Sequence, residues 1–356
     1  MKKKLFALVM AMVMVLSLAA CGGDNSNTPA NTDAPANTDT NTPDDTNANA
    51  GSAAAGAKVD TNTVAVGAVV IARDDVSEDD VYAFVSSIFE NAAAITEQHA
   101  KGGELDLAFA SSVASVPYHP GAAKYFKEKG IDVASVKDGA GTGDSKSLTF
   151  GTGGETGTYY AFGNVLANYV SNNSGASVTA VAGNGSQSNV EDLTAGDIQL
   201  AFVQSDVMSY AYNGERLFDN KVDNFSVVAA LYMEQVQIVT TNPDIKSVDD
   251  LAGKTVSIGA SGSGVFFNAV DVLSAYGIDA ETGISPVYQS FGDSAESLKD
   301  KKIDAAFIVA GAPTPAITDL ATSGDVYLVS LDESHTNDLL SSSPYYSPYT
   351  IPAGTY

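Results

Sequence analysis

From residue 148 onward, short apolar runs alternate with segments whose apolar residues recur at helical spacing. The pattern predicts strands over 148–150, 177–182, 198–203, 225–231, 235–241, 255–258, 286–290 and 303–309, with 326–331 closing the series. Between them it predicts helices over 158–170, 188–193, 206–212, 264–276, 294–299 and 315–321, and a helical turn over 248–252. Strands alternating with helices across short turns predict an α/β fold with largely parallel sheets. The series runs through one cycle and then restarts. In each half a strand introduced by an acidic residue recurs, Asp197 before IQLAFV and Asp304 before AAFIV. Two similar lobes are therefore expected, joined by the strands at 225–241, with a ligand cleft at the carboxyl ends of the strands.

Residues 63–130 carry signals of their own. The segment 63–72 is rich in β-branched residues and reads as a strand. Ser77 with Asp80 resembles a capping box ahead of a helix over 81–97, and a second helix over 121–129 ends at Gly130. Residues 132–147 are polar and Gly-rich, as a linker is.

The first 57 residues are not expected to join the fold. Lys2, Lys3 and Lys4 precede an apolar stretch at 5–18 that is short for a membrane span. It ends in Leu18-Ala19-Ala20-Cys21, which reads as a bacterial lipobox: cleavage before Cys21 and lipidation of its thiol. Residues 22–57 use only Gly, Asp, Asn, Ser, Thr, Pro and Ala and read as a disordered tether. The expected organisation is a signal peptide at 1–21, a tether at 22–57, lobe 1 at 76–232 with the internal linker 132–147, and lobe 2 at 58–75 plus 233–356.

Composition narrows the chemistry. With 18 Lys+Arg against 43 Asp+Glu the net charge is −25, which argues against nucleic acid as a partner. The single Cys and the scattered His99, His119 and His335 argue against a Cys-rich or His-built metal site, and no cofactor or metal is expected. Only Arg73 and Arg216 are available, so a multi-Arg clamp for an anion is not, though either Arg could still contribute. No G-x-S-x-G elbow, free thiol or standout carboxylate pair supports an enzyme, and His119 reads as the cap of the helix at Gly121.

The loop Gly151-Thr152-Gly153-Gly154-Glu155-Thr156-Gly157 follows a strand and opens a helix. It fails the G-x-G-x-x-G pattern of dinucleotide sites, because Thr156 stands where the third Gly would be. Its backbone N–H groups still favour an anion. Gly259-Ala260-Ser261-Gly262-Ser263-Gly264 repeats the arrangement in the second half. The turns 183–189 (GNGSQSN) and Gln204-Ser205 add neutral donors. The residues expected to touch a ligand are Thr152, Gly153, Thr156, Tyr159, Asn184, Ser186, Gln204, Ser205, Ser261, Ser263 and Gly264.

Six blocks together resemble the TAXI class of solute receptors, the extracytoplasmic subunits of one branch of TRAP transporters. They are FGTGGETGTYYAFG (150–163), FVQSDVMSYAYNG (202–214), VDDLAGKTVSIGASGSG (248–264), KIDAAFIVAGAP (302–313), PYTIPAGTY (348–356) and VPYHPGAAKYFKEKG (116–130). The resemblance spans nearly all of 63–356. It implies a two-lobed, type II periplasmic-binding-protein fold, a hinge between the lobes, and closure on a small organic anion. The implied ligand is an amino acid such as glutamate, or a dicarboxylate, and the implied partner is a TRAP-type membrane subunit. In that family the segment resembling 63–130 comes last. Here it precedes the GTGG strand, so the order looks circularly permuted, with 132–147 joining the old ends and Tyr356 expected near 58–63. The expectation is a monomeric, lipid-anchored, non-enzymatic binding protein on the outer face of the cell membrane. The alternative is a ligand sensor that feeds a signalling receptor.

Overall fold

The computed structural model describes residues 58–145 and 147–356. The expected leader, Cys21 and tether lie outside the described residues.

Strand β1 (Thr61–Arg73) opens the fold, followed by α1 (Glu78–Phe89), α2 (Ala92–Gln98), a 3₁₀ segment (Ala100–Glu104), α3 (Leu107–Ala110) and α4 (Pro120–Glu128). Next come β2 (Ser147–Gly151), α5 (Thr158–Asn173), β3 (Ser177–Val181), α6 (Ser186–Ala195), β4 (Leu200–Gln204), α7 (Ser205–Asn213) and the long β5 (Phe225–Thr240). A 3₁₀ turn (Val248–Leu251) leads into β6 (Thr255–Ser257), α8 (Val265–Ala275), β7 (Ser285–Val287), α9 (Phe291–Lys299), β8 (Ala305–Ala310) and α10 (Pro315–Ser323). The series ends with β9 (Tyr327–Leu328), α11 (Glu333–Ser342) and β10 (Ser347–Ile351).

One 10-stranded sheet runs in the order β3-β2-β4-β1-β5-β8-β6-β7, with β10 beside β1 and β9 beside β5. The two outer triplets, β3-β2-β4 and β8-β6-β7, are parallel. Between them β1 and β5 run antiparallel to each other, β1 antiparallel to β4 and β5 antiparallel to β8. The two halves of the sequence therefore build equivalent parallel triplets, and the two long strands tie them together. The result is an α/β fold on one central sheet, in which two equivalent halves meet across β1 and β5.

Burial explains the strand sequences. In β8, Ala305, Phe307 and Val309 face one apolar cluster with Val256, Val272 and Leu273. Ala306, Ile308 and Ala310 face another with Leu298, Ile317 and Val239. Successive side chains point to opposite faces, so a strand covered by helices on both sides must be apolar throughout. The first lobe is built around Phe84, Phe150, Phe162 and Phe202. Helix starts follow the same economy: Ser77, Asp106, His119, Ser290 and Asp332 each accept a backbone N–H in the first turn.

The structure departs from the sequence pattern in several places. The helix expected over 81–97 breaks at Asn91, which leaves helical geometry (φ −126°, ψ 23°). Its Nδ2 instead donates to Ser87 O at 2.9 Å, the local bond that Asn offers against a helix. The strands expected at 225–231 and 235–241 are one strand, because β1 pairs along β5 from Phe225 to Gln235 without a gap. Two bulges absorb the change in twist, at Ala68/Val69 and Val70/Ile71. The closing strand shrinks to Tyr327–Leu328. Helix α11 and strand β10 are additions. Strand β10 tolerates Pro348 because it pairs only with β1 and lies at an edge. It brings the last block of sequence beside the first: Thr61 faces Ile351, and Ala353 N donates to Asp60 Oδ1 at 2.9 Å.

Candidate functional site

Where the two lobes meet, a cavity of ≈ 100 Å³ opens against the starts of four helices. Gly153, Gly154, Gly157 and Thr158 bring the start of α5; Gly185 and Ser186 bring α6; Gly264 and Val265 bring α8; Ser290 and Phe291 bring α9. The first-turn N–H groups of a helix have no intrahelical acceptor and carry partial positive charge. Four such ends around one space form an anion-attracting wall with no arginine in it.

Glycine at two positions lets the lobes approach. Gly185 has φ +110°, a conformation that L side chains rarely adopt, and it lies against Ser263. A Cβ on Gly264 would fall 1.5 Å from Gln204 Oε1 and 3.0 Å from Ser186 Oγ. The lobes are closed on each other. Ser188 N donates to Gly262 O at 2.9 Å, Thr158 Oγ1 to Gly311 O at 2.8 Å, and Ala316 N to Thr156 O at 3.1 Å. Behind the cavity, Gln204 Nε2 donates to Asn268 Oδ1 at 3.0 Å, and Asn268 Nδ2 donates to Asp206 Oδ2 at 2.8 Å and to Tyr346 Oη at 2.9 Å. Asp271 on α8 extends this network, accepting from Tyr346 Oη at 2.9 Å and from Arg216 Nη2 at 2.7 Å. Burial pushes the Asp206 carboxyl up to about 6, against the hydrogen bonds that it accepts.

The cavity gathers Gly153, Tyr159, Asn184 and Ser186 from the first lobe, with Gln204 beside them. Ser263 and Gly264 come from the second. Four other expected residues are elsewhere. Thr152 is fully buried and spends its hydroxyl on Val181 O at 2.7 Å, which holds the loop to β3. Thr156 gives its carbonyl to Ala316 across the lobes. Ser205 Oγ accepts Gly67 N at 3.0 Å and so fixes α7 to β1. Ser261 is exposed. Two buried atoms at the cavity have no partner among the described residues: Gln204 Oε1 and Ser263 Oγ. Buried polar atoms are rarely left so, and both residues line the cavity.

The one carboxyl that lines the cavity was not among the expected contacts. Glu234 is 2% exposed and sits on β5 at the point where that strand passes from one lobe to the other. Tyr159 Oη donates to its Oε2 at 2.6 Å, and the Tyr159 ring lies flat on Phe202, 4.6 Å between centroids. Burial pushes the Glu234 carboxyl up to about 8; Asp206 adds repulsion, while the Tyr159 hydrogen bond and the Lys101 charge oppose it. The signal was in the chain: a lone acidic residue between the two apolar runs of β5.

His119, by contrast, is structural. Its Nδ1 accepts Gly121 N at 3.2 Å, its Nε2 meets Val76 O at 3.1 Å, and burial pushes it down to about 4. Among the described residues no group of His, Cys, Asp and Glu could hold a metal ion.

Comparison with known proteins gives a family and a set of distant structural relatives. The model of the NMT1-like family matches residues 41–130 and 150–356. The periplasmic aliphatic sulphonate-binding protein SsuA of Escherichia coli is similar at 19% identity, over 60% of this chain and 63% of its own, with a TM-score of 0.35. The alkanesulfonate-binding protein SsuA of Xanthomonas axonopodis pv. citri, bound to MOPS, is similar at 19% identity, over 52% and 61%, with a TM-score of 0.37. The substrate-binding protein of a Streptococcus pneumoniae ABC uptake transporter, with bound histidine, is similar at 18% identity, over 55% and 86%, with a TM-score of 0.34. The chain thus spans less than two thirds of the length of either sulfonate-binding relative.

Proposed function

The chain belongs to the NMT1-like family, and on that premise we propose that it is an extracytoplasmic solute-binding protein that closes its two lobes on one small, carboxylate-bearing molecule. The observation that carries this reading is the cavity itself: set between the two halves of the sheet, walled by four helix starts, with Gln204 Oε1 and Ser263 Oγ left without partners among the described residues. Its ≈ 100 Å³ is of the order of an engineered cavity of about 150 Å³ that holds benzene, and suits a solute the size of a small amino acid. The carboxylate would face the N–H groups of α5, α6 and α8, which take the place of an arginine clamp. Binding would shift an open–closed equilibrium about β1 and β5.

The finer reading is a TAXI-type receptor, tethered through lipid on Cys21, that hands an amino acid or a dicarboxylate to a TRAP-type membrane subunit. The block sequences quoted above support it. The adjacency of Asp60 and Ala353 supports a circularly rearranged order within it. A thermal-shift panel of amino acids, dicarboxylates and 2-oxoacids tests the binding reading. Ligand at 1,000 times its Kd adds about 4 kcal/mol, a rise of several degrees. A shift with one acid and not with its amide supports an anion in the cleft. A cooperative melt that no acid moves contradicts it.

A further inference from the structure

We propose that Glu234 makes the cleft select a solute carrying an ammonium group, an amino acid over the matching 2-oxoacid, and that capture of that solute expels a proton from Glu234. The proposal rests on the cleft reading above and adds a charge requirement to it.

Glu234 is the one carboxyl among the cavity-lining residues. Tyr159 occupies its Oε2, and no hydrogen bond to Oε1 occurs among the described residues. The charged and titratable groups packed around it do not neutralise it. Lys101, on the 3₁₀ segment, gives its ammonium to Glu104 Oε1 at 2.5 Å and lies 5.3 Å from the Tyr232 ring centroid. Asp206, on α7, is acidic and bonded to Asn268. Tyr232, on β5 itself, keeps a buried hydroxyl with no partner, and Tyr159 on α5 donates. Arg73 and Arg216 are engaged with Asp75 and Asp271. A buried carboxylate without a counter-cation is costly, so in the empty closed cleft Glu234 holds its proton near neutral pH.

A solute ammonium at Oε1 supplies the missing cation. The carboxyl O–H bond then breaks, the proton passes to bulk buffer, and an N–H donor from the ammonium takes its place on the carboxylate. The solute carboxylate remains at the helix starts. A 2-oxoacid puts a carbonyl oxygen where the ammonium would be; it can only accept a hydrogen bond from protonated Glu234, and no proton leaves. That neutral pair lacks the charge-assisted bond of an ammonium on a carboxylate, which is roughly twice as strong.

The test is isothermal titration of the purified protein at pH 7 with three matched pairs: L-alanine and pyruvate, L-glutamate and 2-oxoglutarate, L-leucine and 4-methyl-2-oxopentanoate. Each runs in phosphate and in Tris, whose ionisation enthalpies differ, so the difference counts protons. The expected result is an amino acid bound at least about tenfold more tightly than its partner, with release of about one proton. In Glu234→Gln both the preference and the proton release vanish. If that variant does not fold, the wild-type pair comparison and proton count decide alone. A 2-oxoacid bound as tightly as its amino acid, or amino-acid binding without proton release, overturns the inference and leaves the cleft reading standing. Binding of none of the six compounds overturns the cleft reading, and the inference with it.

Discussion

Tyr159 and Glu234 join helix α5 of one lobe to the strand shared by both: Tyr159 Oη donates to Glu234 Oε2 at 2.6 Å. The same ring stacks on Phe202, so aromatic packing fixes the hydroxyl that positions the cavity's carboxyl. Tyr159→Phe keeps the stack and removes the bond. Hydrogen bonds to charged groups contribute roughly 1.5–3 kcal/mol, so solute affinity should fall at least about tenfold with little change in melting temperature. Titration calorimetry on the variant checks this; unchanged affinity would rule out a role for the pair in binding.

The raised Glu234 pKa has a definite sign in stability. The folded carboxyl titrates at about 8 and the unfolded one at its ordinary value of about 4.5, so between these values the native state holds the extra proton. The stability contribution of this group therefore falls as pH rises from 4.5 to 8. Melting temperature measured across that window should decline less in Glu234→Gln than in the ligand-free wild type. Parallel curves would mean that Glu234 is not buried as described.

Ligand affinity should move the opposite way. An ammonium binds the ionised carboxyl, so amino-acid affinity rises with pH up to about 8 and then levels. A flat profile from pH 6 to 8 would contradict that coupling.

Gly264 controls closure. Gly264→Ala places a methyl 1.5 Å from Gln204 Oε1 at an ordinary helical φ of −71°, so the backbone is unstrained but the Gln204 amide must move away from Asn268. The expected result is a folded protein with solute affinity at least about tenfold lower, since the displaced Gln204 amide loses its buried bond to Asn268. Wild-type affinity in this variant would show that the contact is dispensable.

Arg216 bridges the lobes from behind, donating to Asp271 at 2.7 Å and lying over the Tyr210 and Phe267 rings. Its guanidinium is partly exposed, so the pair contributes about 1 kcal/mol at most. Arg216→Ala should speed solute release up to about fivefold with association barely changed, as stopped-flow fluorescence would report.

How much of this the sequence disclosed depends on the interaction concerned. Local signals were readable: the apolar strands 198–203 and 303–309, His119 as a cap, and the Gly-rich helix starts at 151–157 and 259–264. Breaks set by one side chain were not. Asn91 divides a helix whose periodicity runs straight through it. The continuity of β5 depends on β1, a strand that pairs with it from more than 150 residues away in sequence, so periodicity alone divided it at its polar centre. The same long-range pairing hid Glu234. Ser205 and Thr152 looked like ligand contacts because small hydroxyls in loops do double duty, and here they hold β1 and β3.

The central claim is that the two lobes close on a small solute. Small-angle X-ray scattering of the purified protein, with and without the acid that most raises its melting temperature, addresses it directly. The account predicts a larger radius of gyration without that acid, and with it a curve that matches the closed structure. Identical curves in both conditions would contradict it.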